Sequence, residues 1–430
     1  MSAMPRSFQA FLGATFLSQL GNAAALLAAT IVSSDAGRAT ADSATFTALM
    51  LAVNFGTATV ATPYTAAIAA RVGPRRLYAY TQALGALLYA VVAAGLVAGV
   101  PGYPLLLATA PLLGLLGGWS HVVAPLALRA YSGNEDLAAA ESQSSIATGF
   151  AWVIGGLAGA ALVTQVGPPT AFVADFALTV PLVLVVLLVE PGAAIGAVRS
   201  SPRPWRDLLG RLRHNPAVSR SAVIGLASAI FISPFASMVV PIARDLQHTL
   251  AIHAGLILAC IAVGEMLSPA AVRSMSRVGS RVSPTWVAYT IAGLVLIVIG
   301  LTVLAFDGGP ELVAVAAFGI VYGAVNYGGS SFLIRDAAAE SDDANRQADL
   351  AAFFLAVGIG VPIGTLLWGQ IVHLLSAAHV LMFAGLGMVA FVGALGVLRS
   401  EYRHHHHGND VPEHGTGVPG PHGILRRLGI

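Results

Sequence analysis

Three side chains in this sequence stand where charge is costly, and they are the first candidates for chemistry. Glu265 follows Leu256-Ile257-Leu258-Ala259-Cys260-Ile261-Ala262-Val263-Gly264, a run free of charge. Asp175 lies between Phe172-Val173-Ala174 and Phe176-Ala177-Leu178, and His121 follows Trp119-Ser120. An ionisable group at membrane depth costs at least a few kcal/mol, so it is a functional candidate by default. A carboxylate whose protonation is tied to conformation can couple proton flow to solute movement, and an imidazole titrates in the physiological range. Each residue also has a plainer reading. Glu265 would pair with a loop arginine (Arg71, Arg75 or Arg273) and close an inner gate, Asp175 would reach the interface, and His121 would be a hydrogen-bonded packing residue.

The elements that place these groups are apolar and long. Of the 430 residues 56% are hydrophobic and 10% charged, and the mean hydropathy is +0.78. Soluble domains carry about 25% charged residues. The single cysteine, Cys260, rules out a disulfide scaffold, and the net charge of +2 gives no basis for binding nucleic acid. Twelve apolar stretches follow: 8–31, 45–69, 77–99, 104–128, 142–165, 169–190, 218–242, 249–272, 284–305, 311–334, 349–373 and 377–399. Each approaches the roughly 20 residues that cross a hydrocarbon core. None shows the alternation of a membrane β-barrel. Interior prolines (Pro63, Pro125, Pro234, Pro362) are tolerable in a bundle, where neighbouring helices satisfy the freed backbone groups. Gly155–Gly159 and Gly360–Gly364 have the spacing of close helix contacts.

All 22 basic residues are arginine. With the amino terminus inside, 20 fall in the termini and even-numbered connections, leaving Arg38 and Arg244 outside. The positive-inside rule then sets both termini in the cytoplasm. A repeat accompanies the count. Arg71-Val72-Gly73-Pro74-Arg75 recurs 206 residues later as Arg277-Val278-Gly279-Ser280-Arg281, and the same offset maps Gly117 onto Gly323 and Arg129 onto Arg335. The expected fold is an all-α polytopic membrane protein of twelve transmembrane helices in two pseudo-symmetric six-helix halves. The expected domains are an N-terminal bundle (1–190), an Arg/Pro-rich linker (191–217), a C-terminal bundle (218–399) and a disordered tail (400–430). Repeated halves of this kind build alternating access around a midplane site.

With these features the chain resembles the major facilitator superfamily over nearly its whole length. The loop Arg71-Val72-Gly73-Pro74-Arg75-Arg76 matches the family's cytoplasmic gate pattern, with Ala66 and Ala70 replacing its Gly and Asp. The resemblance implies a gate made of Arg71, Gly73, Arg75 and Arg76 with their repeat partners Arg277, Gly279 and Arg281. Leu17-Ser18-Gln19-Leu20-Gly21-Asn22 and Asp136-Leu137-Ala138-Ala139-Ala140 look most like bacterial drug and metabolite exporters. Ala110 stands where that group carries a proton-relay arginine, and Ala151-Trp152 where its antiporter motif has Gly-Pro. In the superfamily the first, fourth, seventh and tenth helices line the central cavity. Carried over, the candidate lining is Gln19, Asn22, Trp119, Ser120, His121, Ser228, Phe231, Tyr322, Asn326 and Tyr327. Amides, hydroxyls and aromatic rings suit an amphiphilic organic solute; for any one of these residues an interhelical hydrogen bond is the competing role.

The implied function is proton-gradient-dependent export of a small organic compound across the inner membrane. The expected partners are the solute, a proton as coupling ion and the lipid bilayer; no cofactor, metal or nucleic acid is expected, and the chain is read as a monomeric multidrug-type antiporter rather than an enzyme. No nucleotide-binding loop or nucleophile elbow is present. Uptake or facilitated diffusion of a metabolite, and a receptor on the same scaffold, remain open at this level. The tail, with His404 to His407, His414 and His422, reads as a disordered segment more than a metal site.

Overall fold

The computed structural model describes residues 5–37, 43–133, 137–192, 203–245, 250–278, 283–306, 309–338 and 346–408. The first half runs α1 (Arg6–Ala36), α2 (Ser43–Ala61), a 3-10 turn (Thr62–Tyr64), α3 (Thr65–Val72), α4 (Pro74–Val97), α5 (Gly102–Ser132), α6 (Leu137–Gln165) and α7 (Pro168–Leu188). A linker helix, α8 (Pro204–His214), leads to α9 (Pro216–Phe231), α10 (Pro234–Asp245), α11 (Leu250–Val278), α12 (Pro284–Ala305), α13 (Gly309–Ala338), α14 (Arg346–Leu374) and α15 (Ala377–Gly408). Proline opens α4, α7, α8, α9, α10 and α12, where its missing N–H costs nothing and its φ already suits a helix.

Eleven helices among the described residues are long and apolar enough to cross a membrane. The twelfth stretch, 218–242, differs from the continuous span expected: it forms two helices, α9 and α10, separated at Ile232-Ser233. The cause is Pro234, which removes the N–H that Ile230 needs four residues on. Pro63 acts more mildly, turning the second span through its 3-10 segment, and Pro125 and Pro362 sit inside unbroken helices. The last helix continues through Gly408, so the start of the tail is helical rather than disordered; residues 409–430 lie outside the described residues.

The repeat extends to the element ends. Adding the 206-residue offset carries α2–α3 onto α11, α4 onto α12, α5 onto α13, α6 onto α14 and α7 onto α15, within a few residues at each start. Packing repeats too: α2 lies on α5 as α11 lies on α13, and α1 on α6 as α9 on α14. The halves meet along two equivalent seams, α2 with α14 and α6 with α11. Thr45 Oγ1 donates to the Gly369 carbonyl (3.0 Å) and Thr59 Oγ1 to that of Gly358 (2.8 Å) across the first seam. At the second, Gly156 and Gly255 bring the backbones together.

The two ends of this bundle differ. At the arginine-poor end one apolar cluster spans both halves, joining Leu27, Ile31 and Ala44 to Phe235, Val239, Val240 and Ile242 of α10. At the arginine-rich end each buried cluster draws on one side: Phe8, Phe11, Tyr78 and Tyr131 in the first half, Met275, Ala288 and Phe332 in the second. A third, around Leu208, Val218 and Leu355, docks α8 on the second half. There Arg211 pairs with the buried Asp349 at 2.8 Å, and Asn215, which caps α9, donates to the same carboxylate at 3.2 Å.

Candidate functional site

A stripe along α11 records how the interior opens. Residues spaced three and four apart share one helix face. Along that face Ala251, Ala254, Ile261 and Ala262 are buried, Leu258 and Glu265 are partly exposed, and Pro269 and Ser276 are exposed. Ile252 and Leu267, on the opposite face, are exposed at both levels, as lipid-facing residues are. Exposure on the Glu265 face therefore increases toward the arginine-rich end, where among the described residues no apolar cluster joins the two halves.

Glu265 has a partner that the sequence reading did not anticipate. The Tyr327 side chain of α13 lies beside its carboxyl group. The helices come close enough because Gly323 of α13 lies against the Ile261 carbonyl and Gly264 of α11 against that of Ile320. None of the arginines expected as ion-pair partners reaches Glu265. Arg71 is exposed. Arg273 Nε turns back to the Pro269 carbonyl at 3.3 Å. Arg75 serves the end of α7 instead: it donates to the carbonyls of Val186, Leu187 and Val189, and Tyr131 Oη donates to those of Val185 and Val189. Two side chains thus supply donors to carbonyls that a helix C-terminus leaves free.

Around Glu265 the second half gathers several candidates. Tyr322 is buried near it, with Oη donating to the Ile232 carbonyl at 3.0 Å. Ser228 donates to Gly225 O at 2.8 Å and also meets the hydroxyl of Tyr289, which lies 3.4 Å from Ser330 Oγ. Phe231 packs over Gly387, its ring 6.2 Å from that of Trp368. Asn326 is half-buried, and Tyr327 is 47% exposed although it lies beside Glu265.

In the first half the candidates bond within their own bundle. Gln19 Oε1 accepts from Trp152 Nε1 at 3.2 Å, and Ser120 Oγ from Gln82 Nε2 at 2.7 Å. Trp152 entered the sequence reading only as a departure from the antiporter motif and Gln82 not at all, although each is a polar group in an apolar span, the signal used for the others. Asn22 is half-buried, His121 is exposed on α5, and the Trp119 Nε1 is buried without a hydrogen-bond partner. Asp175 does not reach an interface. It is 4% exposed, its backbone against Gly21 of α1, with Tyr89 nearby and the Ser18–Thr179 hydroxyl pair (3.1 Å) one turn away. Among the described residues no hydrogen bond joins a candidate of one half to a candidate of the other.

Of the gate residues, Gly73 has φ +90° between α3 and α4, a conformation that other residues adopt only under strain. Arg76 and Arg277 are exposed. Gly279 and Arg281 lie outside the described residues, as do the side chains of His373 and of the tail histidines.

The family model described as Major Facilitator Superfamily matches residues 11–347. Among solved structures, the nucleoside transporter NupG is 15% identical, with 91% of this chain and 99% of that one covered at a TM-score of 0.69. The human organic anion transporter MFSD10 (TETRAN) is 14% identical, with 90% and 99% covered at 0.64. An auto-inhibited POT family peptide transporter is 13% identical, with 97% and 99% covered at 0.70. At these identities the likeness carries the fold alone. No curated protein sequence matches the chain.

Proposed function

The chain belongs to the Major Facilitator Superfamily, and from that premise we propose that it is a secondary active transporter exporting a small amphiphilic organic compound at the expense of the proton gradient. The observation that carries alternating access is the asymmetry of its ends: one apolar cluster closes both halves at the arginine-poor end, and the stripe bearing Glu265 becomes exposed toward the other. With the arginine-rich end in the cytoplasm, as the positive-inside rule directs, this conformer faces inward and both termini are cytoplasmic. Export, rather than uptake, rests on the resemblance of the first and fifth spans to exporters.

Glu265 is the coupling residue in this reading. Its neighbour Tyr327 is neutral, and no cation neutralises it among the described residues, so a proton can supply what an arginine does not. Asp175 and His121 are secondary candidates, Asp175 walled inside one half and His121 exposed. Gln19, Asn22, Trp119, Ser120, Ser228, Phe231, Asn326 and Tyr327 remain candidate lining, a neutral and aromatic set suited to an amphiphile. Arg71, Gly73, Arg76 and Arg277 stand where the halves would meet when the inner side closes.

The test is accumulation of a diverse compound panel in an efflux-deficient bacterial host expressing the chain, with and without a protonophore. Lower accumulation of some compounds, reversed by the protonophore, is the expected result. Higher accumulation would replace export with uptake.

A further inference from the structure

The break in the seventh span is finished by two side chains from other helices, and each takes a particular carbonyl. Pro234 has no N–H to give Ile230, and Trp368 Nε1 of α14 donates to the Ile230 carbonyl at 2.8 Å. The Ile232 carbonyl accepts from Phe235 N at 3.1 Å in a tightened turn, and from Tyr322 Oη of α13 at 3.0 Å. Tyr322 also holds the far side of the break, its ring edge-on to Phe235 of α10 with centroids 4.7 Å apart. Trp368 flanks the near side through Phe231. All of this lies directly beneath the outer seal, because Phe235, Val239, Val240 and Ile242 of α10 are the residues that meet Leu27, Ile31 and Ala44 of the first half.

We propose that Tyr322 and Trp368 are positioning residues that set the angle of α10 on α9 and thereby hold the outer seal closed. This moves Tyr322 out of the solute-contacting lining: it is 4% exposed and its hydroxyl is already engaged. A helix interrupted by proline has a free hinge unless its orphaned carbonyls are tied to something. Here they are tied to α13 and α14, both in the same half, so α10 is fixed to its own bundle while its outer face rests on the opposite one. Loss of Trp368 leaves the Ile230 carbonyl without its closed-state partner, loss of the Tyr322 hydroxyl leaves Ile232 with only the turn bond from Phe235 N and unties it from α13, and either change frees the hinge. The closed seal is then destabilised relative to the open one, where those carbonyls meet water.

The inference rests on the alternating-access reading, but its test needs neither solute nor gradient. In a Cys260→Ser background, spin labels at Ala36→Cys and Phe306→Cys, both exposed at the arginine-poor end, report the separation of the halves by pulsed electron paramagnetic resonance in lipid nanodiscs. Tyr322→Phe keeps the ring against Phe235 and removes only the hydroxyl. It should raise the open-to-closed ratio about five-fold, the effect of one hydrogen bond lost from a single state. Trp368→Phe should do the same in the wild-type hinge. In a Pro234→Ala background, where Ile230 regains a backbone donor, Trp368→Phe should have little further effect. Thr285→Val removes a buried hydroxyl of the same half that bonds Asp336 at the arginine-rich end, far from the break, and should leave the distribution in place. Unchanged distributions in folded, monodisperse Tyr322→Phe and Trp368→Phe would overturn the proposal. So would an equal shift from Thr285→Val, since any buried hydroxyl would then matter alike. Failure of the export assay with the distance shifts intact would leave the latch standing and remove only the transport reading.

Discussion

The first span and the seventh hold equivalent places in the two halves, and only the seventh is broken. Ala28 stands in α1 where Pro234 stands in the second half, Leu116 where Tyr322 stands, and Leu162 where Trp368 stands. The proline and the two donors that complete it are thus present together in one half and missing together in the other. Charge divides in the same manner. Glu265 corresponds to Thr59, whose hydroxyl reaches the opposite half, and Asp175 to Leu381, which is 1% exposed. Each of these two acids stands at a place the other half fills with a neutral residue. The halves share a packing plan, so these departures are where function has room to act.

Transplanting the break should have the largest effect. Ala28→Pro orphans a carbonyl that Leu162 cannot serve, and a proline in a helix interior costs about 3 kcal/mol or more. Loss of folded protein in fluorescence-detected size exclusion is expected. Normal folding would mean that other groups complete a break equally well, and the specific pairing would lose its significance. Next comes Glu265→Gln, which should reduce gradient-driven transport of any identified solute by about 100-fold, in the range typical for loss of an acid–base group. Asp175→Asn should reduce it less. Unchanged rate and pH dependence in Glu265→Gln would remove the coupling role, and a larger loss in Asp175→Asn would shift it to the first half.

The repeat-related glycines sharpen the comparison further. A Cβ at Gly323 would overlap the Ile261 carbonyl, whereas one at Gly117 meets nothing within 4 Å. Gly323→Ala should destabilise by about 1–3 kcal/mol through overpacking, read as a lower melting temperature. Gly117→Ala should be neutral or slightly stabilising, by at most about 1 kcal/mol. Equal effects at the two positions would mean that Gly117 also faces α2, where Gly114 and Gly118 of α5 already lie against the Asn54 and Ala58 carbonyls. Among the destabilising changes the smallest effect is expected for Arg75→Met, which leaves Tyr131 in place at the end of α7 and should cost about 1 kcal/mol.

The span count and the repeat were legible because both depend on residue type and spacing, which bilayer thickness and the backbone's need for internal hydrogen bonds translate directly into helices. The prolines were visible but their consequences were not. Pro362 and Pro234 both fall inside long apolar stretches, yet one lies within a helix and the other stands at a break between two. The site was less legible still. Glu265 and Tyr327 were both singled out, but their union depends on the register of α11 against α13, which Gly264 and Gly323 set in three dimensions. Arg75 matched a gate motif and proved to be capping α7, since a motif does not reveal which carbonyls lie within reach.

The threonines along the seam between α2 and α14 add a mechanical consequence. Thr59 Oγ1 lies 2.8 Å from the Gly358 carbonyl across the seam and 2.9 Å from the Phe55 carbonyl of its own helix. A hydroxyl with two acceptors can release the distant one and keep the near one, so sliding the halves past each other strands no donor in the hydrocarbon. Such a seam behaves as a lubricated bearing rather than a weld: it holds the halves in register at rest and offers little friction when they rock.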